Sequence, residues 1–162
     1  MNEIYNRRSI RKYTSQKIDD DKLKQILKAG MNAPTARNLK PFEFIIIKNR
    51  EILEDLSNLK KNSYFVKDSY ATIVILGNEL TEFWQQDLAA VTQNILLQAT
   101  TFGIASCWIG MAPNQSYEQS ARQILNIPDN IRVFSMVTLG YPLETKEPND
   151  NYYENLVHFD KY

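Results

Sequence analysis

ATIVILGNELTEFWQQDLAAVTQNILLQATTFGIASCWIG, residues 71–110, decides the fold. Residues 71–77 form a continuous apolar run closed by Gly77, the pattern of a central strand covered on both faces. From about 81 to 102 the chain predicts its longest helix, and past Asp87 the apolar residues spread around most of the circumference. Such a helix needs burial on all sides, more than one small sheet supplies, so a dimer interface is expected along it. Residues 105–110 (ASCWIG) then predict another strand.

Working toward the N-terminus, Asn49 is placed to cap a helix with Ile52, Leu53, Leu56 and Leu59 on its inner face, and residues 42–48 (FEFIIIK) predict a β-branched strand. Before them, Asp19 caps a helix whose apolar stripe is Leu23, Ile26, Leu27 and Met31, ended by Asn32 and a loop that Pro34 opens. Toward the C-terminus, Ser116 and Gln119 have the spacing of a capping box for a helix ending near Asn126, and residues 133–139 (VFSMVTL) predict a strand closed by Gly140. No internal repeat or low-complexity linker interrupts the series.

The chain has 162 residues, one domain's worth, with 43% hydrophobic and 23% charged side chains, close to the globular average. Disorder and fibrous repeats are excluded. The uncharged stretch 88–117 is too often interrupted to cross a membrane, by Thr92, Gln93, Asn94 and Gln98 and by the breakers Gly103 and Pro113. A single cysteine, Cys107, and an N-terminus without the apolar core of a signal peptide lead us to expect a cytoplasmic protein.

Nineteen basic and nineteen acidic residues cancel, so no global field favours nucleic acid or an anionic membrane. The distribution is uneven. Residues 1–17 hold Arg7, Arg8, Arg11, Lys12 and Lys17 against Glu3, whereas no Lys or Arg occurs between Asp68 and Ala121. An anion would therefore be held by the N-terminal arm, helped by Arg37 and Lys40, by Lys60, Lys61 and Lys67, or by Lys146; a solvated basic arm is the alternative.

With one histidine, His158, and no Cys-x-x-Cys, a metal site is not expected. Gly-rich phosphate loops and the Gly-x-Ser-x-Gly elbow are missing. Cys107, inside an apolar strand, reads as a small core residue. So few titratable groups in apolar context suggest that a cofactor supplies the chemistry.

Several blocks, in order along nearly the whole chain, resemble the FMN-dependent nitroreductase family of NAD(P)H:acceptor oxidoreductases. Arg7-Arg8-Ser9-Ile10-Arg11-Lys12-Tyr13 is similar to its Arg-Arg-Ser-x-Arg-x-Tyr arm, and residues 33–42 (APTARNLKPF) to its Ala-Pro-Ser-x-x-Asn-x-Gln-Pro-Trp loop. Residues 62–68 (NSYFVKD), 84–97 (WQQDLAAVTQNILL), 103–110 (GIASCWIG) and 139–142 (LGYP) complete the pattern. The resemblance implies an α+β fold, a central mixed, mostly antiparallel sheet flanked by helices, in a single domain over residues 1–162 that forms an intertwined homodimer.

It also implies FMN, with NADH or NADPH as donor. Arg7 and Ser9, with Arg8 beside them, would contact phosphate and ribityl, since Arg recognises phosphate bidentately. Arg11 would stabilise negative charge at the N1 and C2-carbonyl edge of the reduced ring. Asn62 would bond the pyrimidine edge, with Lys67 as helper. Cys107, Trp108, Ile109 and Gly110 would lie along the ring and offer a backbone N–H to N5. Pro34, Thr35 and Asn38 would complete the partner's site, and a tail including Leu156, Val157 and His158 would cross to the neighbour's sheet.

The chain departs from the family pattern at Ala36, Lys40 and Phe42, and Asn151 stands where many relatives place an Arg that reaches the phosphate. Lys146 is the candidate substitute. The reading is a flavin oxidoreductase that passes hydride by a ping-pong cycle to a nitroaromatic, quinone or similar small-molecule acceptor. An FMN carrier or sensor without turnover, and a family offshoot using FMN for other chemistry, are the alternatives.

Overall fold

The computed structural model describes residues 2–112 and 115–162. Its order is α1 (Glu3–Asn6), α2 (Asp20–Met31), β1 (Phe42–Ile47), α3 (Arg50–Ser57), β2 (Ala71–Gly77), α4 (Trp84–Thr101), β3 (Ala105–Gly110), α5 (Gln115–Leu125) and β4 (Arg132–Gly140), with short 3-10 helices at Ala36–Asn38, Lys61–Asp68 and Glu154–Leu156. The strands form one sheet in the order β1-β2-β4-β3, every neighbouring pair antiparallel. The expected parallel component is confined to one isolated bridge between Ser9 and Ser106.

Because successive side chains of a strand point to opposite faces, the apolar run of β2 feeds two cores. Val74 and Leu76 join Leu53, Leu56 and Phe65 on the side of α3; Ile73 and Ile75 join Leu23, Ile26, Leu88 and Ile95 beneath α2 and α4. All seven residues of β2 are buried. Asn49 caps α3 as expected, its side chain accepting the Ile52 N–H at 3.1 Å. Asp19 stands at the N-cap of α2 without a side-chain cap bond, and Leu23, Ile26 and Gly30 form the buried stripe, but Met31, the last residue of the helix, is 47% exposed because the face turned to α4 at that end is Gly30's.

Two local expectations are corrected. The long helix starts at Trp84, three residues later than its apolar pattern suggested, because Thr81 is held in a turn by Asn78. Ser116 is not an N-cap: α5 already includes Gln115, and the Ser116 carbonyl accepts the Ser120 hydroxyl. Pro113, read as a breaker, lies outside the described residues. Among those residues no helix is long and apolar enough to cross a membrane.

Helix α4 packs on α2 and the sheet. Ile95 is fully buried within its own protomer, where a Cβ on Gly30 would stand 2.9 Å from it. The face left over carries Gln93 and Leu97, each half-buried in the single chain.

Candidate active site

The N-terminal arm is extended and laid along the outer edge of β3. Ile10 N–H donates to the Ser106 carbonyl at 3.1 Å, Thr14 N–H to Tyr141 at 2.8 Å, and Leu143 N–H to Lys12 at 2.9 Å. Tyr13 pins it: the hydroxyl is 2.6 Å from both the Ile10 carbonyl and Thr138 Oγ1, and its ring lies where a Cβ on Gly140 would fall, 2.7–2.9 Å away. Burial pushes the Tyr13 phenol well above its ordinary pKa, so it stays a neutral hydrogen-bonding group.

This lamination gathers charges that are far apart in sequence. Arg11, Lys146 and Arg7 all act electrostatically on the Cys107 thiol, and Ser9 bridges to the backbone of Ser106 beside it. Lys146 Nζ also donates to the Ser9 carbonyl at 2.7 Å, which places the candidate substitute cation on the arm. Arg8 is turned to a different task, donating to the Glu147 carbonyl beside a small cavity shared with Ile10 and Ser106. Burial outweighs the cations at Cys107, which is 2% exposed, and its thiol is pushed up; a protonated core thiol is the outcome.

Beyond Ser106 the edge of β3 lies open. The carbonyls of Ser106 and Gly110 face outward, to Ile10 and to Lys60 Nζ respectively, while Met111 N–H turns inward to Phe134. By the two-residue alternation of an antiparallel strand, the N–H groups of Trp108 and Gly110 also face outward, and those of Cys107 and Ile109 pair with β4. A Cβ at Gly110 would meet nothing within 4 Å, so a flat group can lie against this backbone.

The Lys61–Asp68 helix forms the opposite wall. Arg11 stands over the Phe65 ring, 5.6 Å from its centroid, one turn from exposed Asn62. Lys60, over the Tyr117 ring at 4.5 Å, has its ammonium pKa lowered by burial. Its position beside Gly110 was not evident from spacing.

Pro34, Thr35 and Asn38 are not brought to this cluster within one chain. Their loop leads into β1, at the other edge of the sheet, with β2 and β4 between. Arg37, Asn38 and Lys40 all have positive φ (53°, 57° and 51°), strained for residues with a Cβ. What holds the loop is Asp87, which sequence reading did not single out: Oδ1 accepts the Ala36 N–H at 2.9 Å from a side chain in the first turn of α4. Asp87 is 7% exposed, and its Oδ2 has no partner among the described residues.

Residues 4–84 and 60–141 match the model of the Nitroreductase family. The chain belongs to the nitroreductase family. It is 39% identical over 167 residues, 98% of this chain and 96% of the relative, to an Archaeoglobus fulgidus protein provisionally designated an NADH dehydrogenase/NAD(P)H nitroreductase. The FMN-dependent nitroreductase of Clostridium difficile R20291 superposes with a TM-score of 0.94 at 30% identity over 99% of each chain. A Bacteroides thetaiotaomicron protein with the same provisional designation as the archaeal one gives 0.96 at 27% identity over 99% and 96%. Membership makes this nitroreductase-family chain an oxidoreductase.

Proposed function

We propose that the chain is an FMN-dependent NAD(P)H oxidoreductase working as a homodimer in the cytoplasm, reducing a nitroaromatic, quinone or similar acceptor by a ping-pong cycle. The observation that carries this reading is the convergence of Arg7, Ser9, Arg11 and Lys146 on an open strand edge with outward N–H groups at Trp108 and Gly110. A dianionic phosphate and a flat, hydrogen-bonding ring are the chemistry this surface fits. FMN, when bound, supplies hydride acceptance and donation at N5.

The chain's own residues then have separate tasks. Arg7, Ser9 and Lys146 bind the phosphate end by charge-assisted hydrogen bonds. Arg11, held over Phe65, offsets negative charge at the pyrimidine edge, and Asn62 orients that edge. Trp108 or Gly110 donates a backbone N–H at N5. Lys60 is a further cation beside Gly110.

Pro34, Thr35 and Asn38 serve the partner's site. Their placement across the sheet from their own chain's arm supports that arrangement. So does the tail: residues 145–162 are exposed throughout, with Tyr152, Leu156 and Phe159 at 76%, 70% and 84%. Apolar side chains in such number are expected to be covered by a second copy.

Titration of the apoprotein with FMN, followed by flavin fluorescence, tests the cofactor. Quenching that saturates at one FMN per protomer is expected, weakened strongly by Arg7→Ala; fluorescence unchanged by the protein removes the proposal.

A further inference from the structure

Arg11 also lines a second cavity of about 610 Å³, in the range of small-molecule sites, between the arm, Arg50 and the segment 64–70. Four cations line it, Arg11, Lys12, Arg50 and Lys67, against one carboxylate, Asp68. We propose that this groove binds the adenine-nucleotide half of the dinucleotide donor, the diphosphate and any 2′-phosphate among the cations and the base on the exposed Tyr64 ring. The inference rests on the NAD(P)H reading above and names where the non-reacting part of the donor docks.

The groups are disposed for an anion. Lys12 is exposed, and its ammonium makes no hydrogen bond or ion pair among the described residues. Arg50 commits one N–H to the Ser69 carbonyl at 2.7 Å, which fixes the guanidinium in the wall with its remaining donors unspent. Lys67 is held only by an exposed pair with Glu54 at 3.2 Å, an interaction that exchanges readily for a phosphate.

Tyr64 is 61% exposed and stands edge-on to buried Phe65, with rings 5.8 Å apart at 89°, so its orientation is fixed while most of its surface stays free. An exposed aromatic surface beside unpaired cations suits a base and its phosphates together. Arg11 lines this groove and also belongs to the cluster around Cys107, so one side chain is common to the groove and the proposed flavin edge. An extended ligand that contacts Arg11 is placed at both. No Gly-rich loop is required, because side-chain cations replace backbone N–H groups as the phosphate cradle.

The experiment uses the FMN-loaded dimer and two kinds of donor: NADH and NADPH, and 1-benzyl-1,4-dihydronicotinamide, which lacks the diphosphate and adenosine. Lys12→Glu and, separately, Arg50→Gln are compared with the parent protein, each checked for an unchanged melting temperature. We expect KM for the dinucleotides to rise about tenfold or more in Lys12→Glu, the loss of one charge-assisted contact, with kcat held and turnover of the truncated donor unchanged. Calorimetric titration with 2′,5′-ADP and with 5′-AMP reads the groove independently of turnover. Binding of either in the parent and its weakening in Lys12→Glu are expected, and preference for 2′,5′-ADP assigns the site to NADPH rather than NADH. Unchanged dinucleotide KM in Lys12→Glu, an equal loss with the truncated donor, or no nucleotide binding to the parent overturns the proposal. Nucleotide binding without flavin reduction by any donor instead overturns the oxidoreductase reading while leaving the groove.

Discussion

Gly140→Ala is expected to damage the cofactor site indirectly, through the arm that carries it. A Cβ there would stand 2.7 Å from Tyr13 Cδ1, 2.8 Å from Cγ and 2.9 Å from Cβ, against a stiff ring whose hydroxyl is held by two 2.6 Å hydrogen bonds. The ring cannot swing away without giving up those bonds, so the substitution behaves as overpacking and should cost about 1–3 kcal/mol. Gly140 does not have a positive φ, so alanine is acceptable to the backbone itself. In a Tyr13→Ala background the clash is gone, and the same substitution should be neutral or stabilising by up to about 1 kcal/mol, through the reduced entropy of the unfolded chain. Taken together, these limits give a coupling energy of about 1–4 kcal/mol between the two positions. Urea unfolding of the four proteins at fixed protomer concentration measures it, and FMN titration should show Gly140→Ala weakening binding because Tyr13 pins the arm that carries Arg7 and Arg11. Equal costs of Gly140→Ala in both backgrounds would refute the account of how the arm is held.

Four further outcomes are expected. Arg11→Ala should slow flavin reduction more than it weakens FMN binding, and Arg7→Ala the reverse, as read by rapid mixing and by titration. Leu97→Glu, on the half-buried outer face of α4, should dissociate the dimer in sedimentation, since a fully buried leucine contributes about 1.5–3 kcal/mol, with FMN occupancy falling in parallel. Cys107→Ala should retain turnover, because the raised thiol pKa leaves no thiolate to act; loss of activity with FMN still bound would return the thiol to the mechanism. Glu118 is almost fully buried; burial opposes its charge, but Arg132 and the Val133 N–H prevail and hold the carboxyl below its ordinary value. Its contribution is therefore complete above the unfolded pKa near 4.5 and lost as pH falls through the lower folded value, and Glu118→Gln should flatten the acid limb of the stability curve.

What the sequence makes legible follows from how local each signal is. The run ATIVILG announces a central strand because burial on both faces leaves no alternation, and Asn49 announces its helix because the cap bond spans three residues. The Arg7–Arg11 cluster is legible through a contiguous motif. By contrast, Asp87 holds Ala36 across 51 residues, and nothing near either position signals it. Helix α4, apolar nearly all round, shows that it is buried without saying which face meets its own core. Ile95, a natural choice for a probe of the dimer interface, lies fully inside the protomer, and Leu97 is on the outer face. Trp108 and Gly110 emerge as the outward N–H donors only once the register of β3 on β4 is known.

Anaerobic rapid mixing of the FMN-loaded dimer with NADH and with NADPH, following flavin absorbance, tests the central claim most directly. The account predicts that at least one donor bleaches the flavin in a single saturable phase, and that a nitroaromatic or quinone added afterwards restores the oxidised spectrum. Stoichiometrically bound FMN that neither donor bleaches would contradict it and make the protein a flavin carrier or sensor.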